Sequence, residues 1–270
     1  MRLHANNHGF QWTPPPGPFE LLNDAQRAAW SERGGFVLPD AFSRAEVAAL
    51  LAAIDPLEAE AVQNLKARAG GRFGIARADE IVFAPHLVTR SPALRRFAAH
   101  PRLVRLAREL IGADVRLYWD QLVYKKPGNP EEFPWHQDNG YTYVEPQQYL
   151  TCWIALTDAT VDNGCPWIVP GLHRLGTLEH RWTELGFQCF TEHPDAVPLE
   201  VPAGGIAVFS SLTPHRTGPN RTGGTRKAYI IQYAPADAVM YPRDAAPVAA
   251  SNPDWQYPVV ENGRAVEDFA

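Results

Sequence analysis

The spacing of apolar residues changes once along the chain, from a helical period before Gly112 to short blocks of strand length after it. In the first part, Asn23 or Asp24 through Arg33 predicts a helix stopped by Gly34-Gly35. Ser43 with Glu46 three residues on is a capping box that opens a second helix, running to about Ile54. Between the two, Gly35 to Pro39 reads as a short strand. Pro92 to Ala99 and Pro101 to Leu110 predict two more helices, each led by a proline, and the second is closed by Gly112. In the second part the candidate strands are Val115 to Lys125, Tyr149 to Leu156, Pro166 to Val169, Gly205 to Phe209 and Ala228 to Tyr233. They are rich in aromatic and β-branched residues and are separated by Pro, Gly, Asn and Asp.

A helical layer followed by several short strands predicts a mainly β protein with flanking helices, built as a double-stranded β-helix (jelly roll) with its site in the open mouth. Residues 1–19 hold Pro14, Pro15, Pro16 and Pro18, which fix φ and remove donors, so they should form an extended arm. Residues 20–270 read as a single domain, with the helical layer at about 20–112 and the jelly-roll core at about 113–240. The stretch from Pro56 to Ser91 contains Gly70, Gly71 and Gly74 among apolar Phe73, Ile75, Ile81, Val82 and Phe83. It reads as a mobile flap over the mouth, with an ordinary surface excursion as the alternative.

Composition narrows the function classes. With 45% hydrophobic and 20% charged residues the chain is a folded globular protein rather than a disordered one. A formal net charge of -5 disfavours sequence-independent binding to nucleic acid, which needs a basic face. No long apolar run and no leader-like N-terminus point to a membrane or to secretion. Cys152, Cys165 and Cys189 have neither the even count nor the spacing of a disulfide framework, which suits reduced thiols in a cytoplasmic protein. Oligomeric state is left open by the sequence.

The chemistry concentrates in Phe133-Pro134-Trp135-His136-Gln137-Asp138 and a later His215. On a strand, His136 and Asp138 would emerge from the same face. Two imidazoles and one carboxylate on one side of an ion form the facial triad of non-haem Fe(II) sites, which leaves positions open for O2 and a cosubstrate. By spacing alone His173 or His180 could take the place of His215. The choice falls on His215 because Arg226 follows it on the next expected strand. A guanidinium there could grip the distal carboxylate of 2-oxoglutarate with two parallel bonds, helped by the Thr217 hydroxyl. A small-molecule substrate then completes the reading.

Several stretches in the same order carry a resemblance: Lys126-Pro127-Gly128, Trp135-His136-Gln137-Asp138, Trp153 to Thr160, Asn163-Gly164-Cys165-Pro166-Trp167, Pro170-Gly171-Leu172-His173, and His215 to Asn220 with Arg226. Over about residues 115–235 the chain resembles the phytanoyl-CoA dioxygenase family of Fe(II)- and 2-oxoglutarate-dependent oxygenases. The resemblance implies a jelly-roll core, iron on His136, Asp138 and His215, and oxoglutarate on Arg226 and Thr217. It also implies Trp153 lining the cosubstrate pocket and Gln121 approaching it. Where the family often has a small polar residue, this chain has Leu172, a difference at the rim. Hydroxylation of a small organic or acyl substrate, with release of succinate and CO2, is the implied outcome. Asp138 occupies the coordination position a halide would need, which disfavours halogenation. The alternative is a catalytically silent jelly-roll protein that binds a metal or ligand.

Substrate identity is less legible. Lys125, Arg174, Arg181, Arg216 and Arg221 would suit an anionic substrate if they reached the pocket, as would Tyr141 and Tyr143 beside apolar Phe73, Ile75 and Trp167. As solvated surface charges they would say nothing of it.

Overall fold

Asn23 caps the first helix, α1 (Asp24–Arg33), in a reciprocal box: its side chain accepts from the Gln26 amide at 2.9 Å while the Gln26 side chain accepts from the Asn23 amide at 3.0 Å. The computed structural model describes residues 1–267, so the last three residues of the expected 20–270 domain lie outside the described residues. Gly34 ends α1 at φ 81°, where a Cβ would also come within 2.4 Å of Thr213 Oγ1. The chain then enters β1 (Gly35–Leu38).

The Ser43 box opens α2 (Arg44–Lys66), which runs well beyond the expected end near Ile54. Pro56 removes one backbone donor inside this helix, a defect that normally stops or kinks it. Here the apolar spacing continues through Leu57, Ala61, Val62 and Leu65, all packed against the core, and tertiary burial outweighs the local cost. Asp55 adds a tether, accepting from Tyr124 Oη at 2.7 Å and from Lys227 Nζ at 2.9 Å on each carboxylate oxygen. Asp55→Ala should therefore lower the melting temperature by roughly 2–4 °C, corresponding to about 1 kcal/mol for a half-exposed network. An unchanged melt would show that the tether contributes nothing.

The segment read as a flap or a surface excursion contains regular structure. After α2 comes a short hairpin pairing Arg72–Phe73 with Ala76–Arg77, then β2 (Ile81–Pro85). β2 pairs along its whole length with β3 (Val115–Lys125), so its backbone donors are committed to the main sheet. Helices α3 (Pro92–Phe97) and α4 (Pro101–Leu110) lie between them. Buried Glu109 on α4 accepts from the amides of Glu20, Leu21 and Leu22 at 2.7–3.0 Å, which fixes the chain where the extended N-terminal residues meet α1.

The remaining strands that matter are β4 (Phe133–His136), β5 (Leu150–Ala155), β6 (Pro166–Ile168), β7 (Val197–Pro198), β8 (Ile206–Ser210), β9 (His215–Thr217) and β10 (Arg226–Pro235). They form two antiparallel sheets, a large one in the order β1-β8-β5-β10-β3-β2 and a small one in the order β7-β6-β9-β4. Pro258–Glu261, beyond the expected core, adds a strand beside Val115 and Arg116. The fold is a mainly β jelly roll with flanking helices.

Alternation along the large sheet explains its nearly continuous apolar runs. Leu150, Cys152 and Ile154 of β5 and Tyr229, Ile231 and Tyr233 of β10 pack under the helices. Trp153, Ala155, Ala228 and Ile230 point the other way, into the space between the sheets, with Val123, Ala207 and Phe209. A sheet buried on both faces needs no polar side. Its inward polar residues, among them Gln121, Thr151, Arg226 and Gln232, therefore stand out.

Candidate active site

The register of β4 and β9 sets His136 opposite His215, with imidazole centroids 4.1 Å apart. Asp138 is not on β4: it opens a one-turn 3-10 helix, Asp138–Gly140, just past the strand. Side-chain alternation is therefore not what brings it to His136. The turn carries its carboxylate to 3.7 Å from His215 Nε2, and one ligand atom from each of the three residues lies within 4.8 Å of the others.

Neighbouring groups orient each donor. His136 Nδ1 lies 2.8 Å from the Pro134 carbonyl, and His215 Nδ1 lies 3.0 Å from the Thr213 carbonyl. A carbonyl only accepts, so each Nδ1 carries the proton and each Nε2 keeps its lone pair, the tautomer a metal needs. Burial pushes the His215 pKa down to about 4 and the His136 pKa well below its ordinary value, the latter helped by His215. Both rings are neutral at physiological pH, as ligation requires. Burial raises the Asp138 pKa against the opposing pull of His136 and of the Thr151 hydroxyl. An ionised carboxylate there gains from a cation beside it.

Thr151 was not read from the sequence. Its Oγ1 donates to Asp138 Oδ2 at 2.5 Å and accepts from Gln232 Nε2 at 3.4 Å, leaving Oδ1 turned toward His215. Once the face that carries Trp153 and Arg226 is known, the period of two leads to both residues, since Thr151 is two before Trp153 and Gln232 lies on the Arg226 face of β10. Thr151→Val should lower divalent-metal affinity by about 10–100-fold, the usual effect of removing a residue that orients a ligand. Equal affinities in a metal titration of the two proteins would detach Thr151 from this role.

Behind the trio lies a second group. Arg226 opens β10 and is fully buried, with its guanidinium over the Trp153 ring at 5.0 Å. Nη1 donates to the Val123 carbonyl at 3.3 Å, while Nε and Nη2 have no partner among the described residues. Burial lowers its pKa to about 10, so it remains a cation at neutral pH. Nε and Nη2 share one edge of the guanidinium, so both open donors point the same way, the arrangement a carboxylate takes bidentately. Thr217 Oγ1 is likewise buried without a partner. Trp153, Val123, Ile230 and Phe209 wall a narrow cavity that also reaches Gln121, Thr217 and all three members of the trio. Gln121 accepts from Trp119 Nε1 at 3.1 Å and borders a larger cavity on the far side.

The other histidines are engaged elsewhere. His180 Nε2 accepts from the Gln137 amide at 2.9 Å and its Nδ1 faces the Leu178 carbonyl at 2.8 Å. His173 Nε2 lies 3.2 Å from the Ser31 carbonyl, with its ring edge-on to Trp12. Of the cationic residues considered for an anionic substrate, Arg221 is exposed and the other four are engaged. Arg174 holds the Ser31 carbonyl, Arg181 pairs with Gln188, and Arg216 pairs with Glu132 between Trp135 and Trp167. Lys125 is buried, donating to the carbonyls of Gly218 (2.6 Å) and Glu131 (3.0 Å). Of the wider set, Tyr141 and Ile75 line the larger cavity, while Phe73 is exposed.

A jelly roll with two histidines and a carboxylate converging in its mouth, and an unpaired buried arginine behind them, defines a class of metal-dependent β-sandwich. Residues 30–228 match the phytanoyl-CoA dioxygenase (PhyH) family, and the chain belongs to that family. It is 32% identical over 130 residues to a phytanoyl-CoA dioxygenase of Arabidopsis thaliana, a match covering 45% of each protein. It is 27% identical over 218 residues to the methylphosphonate hydroxylase of Gimesia maris, covering 78% of this chain and 80% of that one. Among solved structures it is similar to a non-haem α-ketoglutarate-dependent carbocyclase from nogalamycin biosynthesis, with a TM-score of 0.66 and 27% identity over 84% of this chain and 90% of that one. The match spans about half the length of the phytanoyl-CoA dioxygenases of Arabidopsis thaliana and Caenorhabditis elegans. No helix among the described residues is long and apolar enough to cross a membrane.

Proposed function

We propose that this protein is an Fe(II)- and 2-oxoglutarate-dependent dioxygenase that hydroxylates a small organic substrate and releases succinate and CO2. The observation that carries the reading is the pairing of an oriented donor trio with a buried guanidinium edge that has no partner among the described residues. His136, Asp138 and His215 would hold iron on one face, their orientation set by the Pro134 and Thr213 carbonyls and by Thr151. Arg226 would grip the distal carboxylate of oxoglutarate through Nε and Nη2, and Thr217 would donate its hydroxyl to the same group. Trp153 and Ile230 would exclude water around the methylene carbons, and Gln121 would stand between cosubstrate and substrate. When bound, iron and oxoglutarate supply the oxidising chemistry: O2 gives one oxygen to succinate and one to the hydroxylated product. Asp138 fills the position a halide would occupy, which supports hydroxylation as the outcome. Three free cysteines suit a reducing compartment, and the cytoplasm is the proposed location.

Incubation with Fe(II), 2-oxoglutarate and 18O2 should give succinate carrying one labelled oxygen, slowly alone and faster with a substrate. Absence of succinate in both cases would overturn the proposal.

A further inference from the structure

The larger cavity, of about 280 Å³, opens beside His136 and Asp138. Six aromatic rings face it, those of Phe83, Tyr118, Trp119, Phe133, Tyr141 and Tyr149. Among the described residues no lysine or arginine lines it. A carboxylate, phosphonate or phosphate entering here would leave water without a counter-charge, at a cost no aromatic wall repays. A cation could find ring faces. On the reading above, however, the dication, the Asp138 carboxylate, the oxoglutarate dianion and Arg226 cancel in formal charge, so the site offers no net attraction to either sign.

What the cavity does offer is uncharged donors. Tyr118 and Tyr149 are 8% and 1% exposed, and their rings stand 5.0 Å apart. Neither hydroxyl has a hydrogen-bond partner among the described residues. Burial, reinforced by the Asp138 charge, raises both phenols well above their ordinary range, so both keep their protons to donate. The Gln121 oxygen is occupied by Trp119, which leaves its amide N–H groups as a further donor. Each hydroxyl, without a partner at the cavity, gains one when a ligand oxygen enters.

We infer that the substrate is an uncharged, ring-bearing molecule with a carbonyl or hydroxyl oxygen that the Tyr118 and Tyr149 hydroxyls bind. This rests on the proposed site but concerns the substrate cavity alone, so the test uses the full chain saturated with Zn(II) and 2-oxoglutarate, which pairs Asp138 with a dication and permits no turnover. Acetophenone, benzoate, phenyltrimethylammonium and ethylbenzene share one ring and differ in charge and in the oxygen. Binding of each is followed by ligand-observed NMR, with dissociation constants from titration. Acetophenone should bind at least about tenfold more tightly than benzoate or phenyltrimethylammonium, the latter two differing from it by an unmatched charge. Tyr118→Phe and Tyr149→Phe keep the rings and should each weaken acetophenone by about threefold or more while leaving ethylbenzene unchanged. Benzoate or the ammonium binding as tightly as acetophenone, equal acetophenone affinity in both variants, or no acetophenone binding would overturn the inference. Failure of iron to bind in a separate titration would count against the metal reading and leave this result untouched.

Discussion

His215→Ala is expected to abolish oxoglutarate turnover while the protein stays folded. Its Nε2 makes no contact that holds the fold together; the ring packs against Phe209 at 4.5 Å and its Nδ1 meets one carbonyl. Loss of that packing should cost about 1 kcal/mol. Iron affinity should fall by more than about 100-fold, because even a residue that merely orients a ligand costs 10–100-fold. Circular dichroism, a thermal melt and an iron titration on the same sample separate these effects. Retained turnover would move the role to His173 or His180, against the hydrogen bonds both already make.

Arg226→Ala should act on oxoglutarate and spare iron. Removing one member of a buried charge pair typically costs 2–5 kcal/mol, so the oxoglutarate requirement should rise by roughly 30-fold to several thousandfold. Arg226→Lys should recover only part of this, since a point charge cannot reproduce the forked edge. The wild-type chain should melt at a higher temperature with oxoglutarate and iron bound, because the ligand binds only the folded state, and in Arg226→Ala most of that increment should vanish. Equal oxoglutarate dependence in wild type and both variants would remove Arg226 from the site.

Much of this could be read from residue order. The His136-x-Asp138 pair, the later His215 and Arg226 were legible because ligand chemistry restricts the residue types, and the strands around them were marked by aromatic and β-branched runs. The same reasoning placed Asp138 on a strand, because alternation cannot see the 3-10 turn that begins there. It ended α2 at Ile54 because Pro56 is a breaker locally, whereas the core contacts of Leu57 to Leu65 are long-range. It read 56–91 as a flap or a surface excursion because a long stretch without a clear period looks like a connection, yet β2 is paired with β3 and brings Phe83 to the cavity wall. For the basic residues it left a pocket role beside a solvated surface role, because charge alone does not show direction: Arg216 turns to Glu132 and Arg174 to Ser31. Thr151 and Gln232 escaped notice because a single polar residue in an apolar run carries no signal until the opposite face is known to be occupied.

The central claim, that one site holds iron and oxoglutarate together, is tested most directly by anaerobic spectroscopy. Fe(II) is added to the chain with 2-oxoglutarate in the absence of O2, and the visible absorbance is recorded. Chelation of iron by the keto acid should give a weak metal-to-ligand charge-transfer band that saturates at one iron and one oxoglutarate per chain, is absent in His215→Ala, and requires more oxoglutarate in Arg226→Ala. A wild-type protein showing no such band at saturating iron and oxoglutarate would contradict the account.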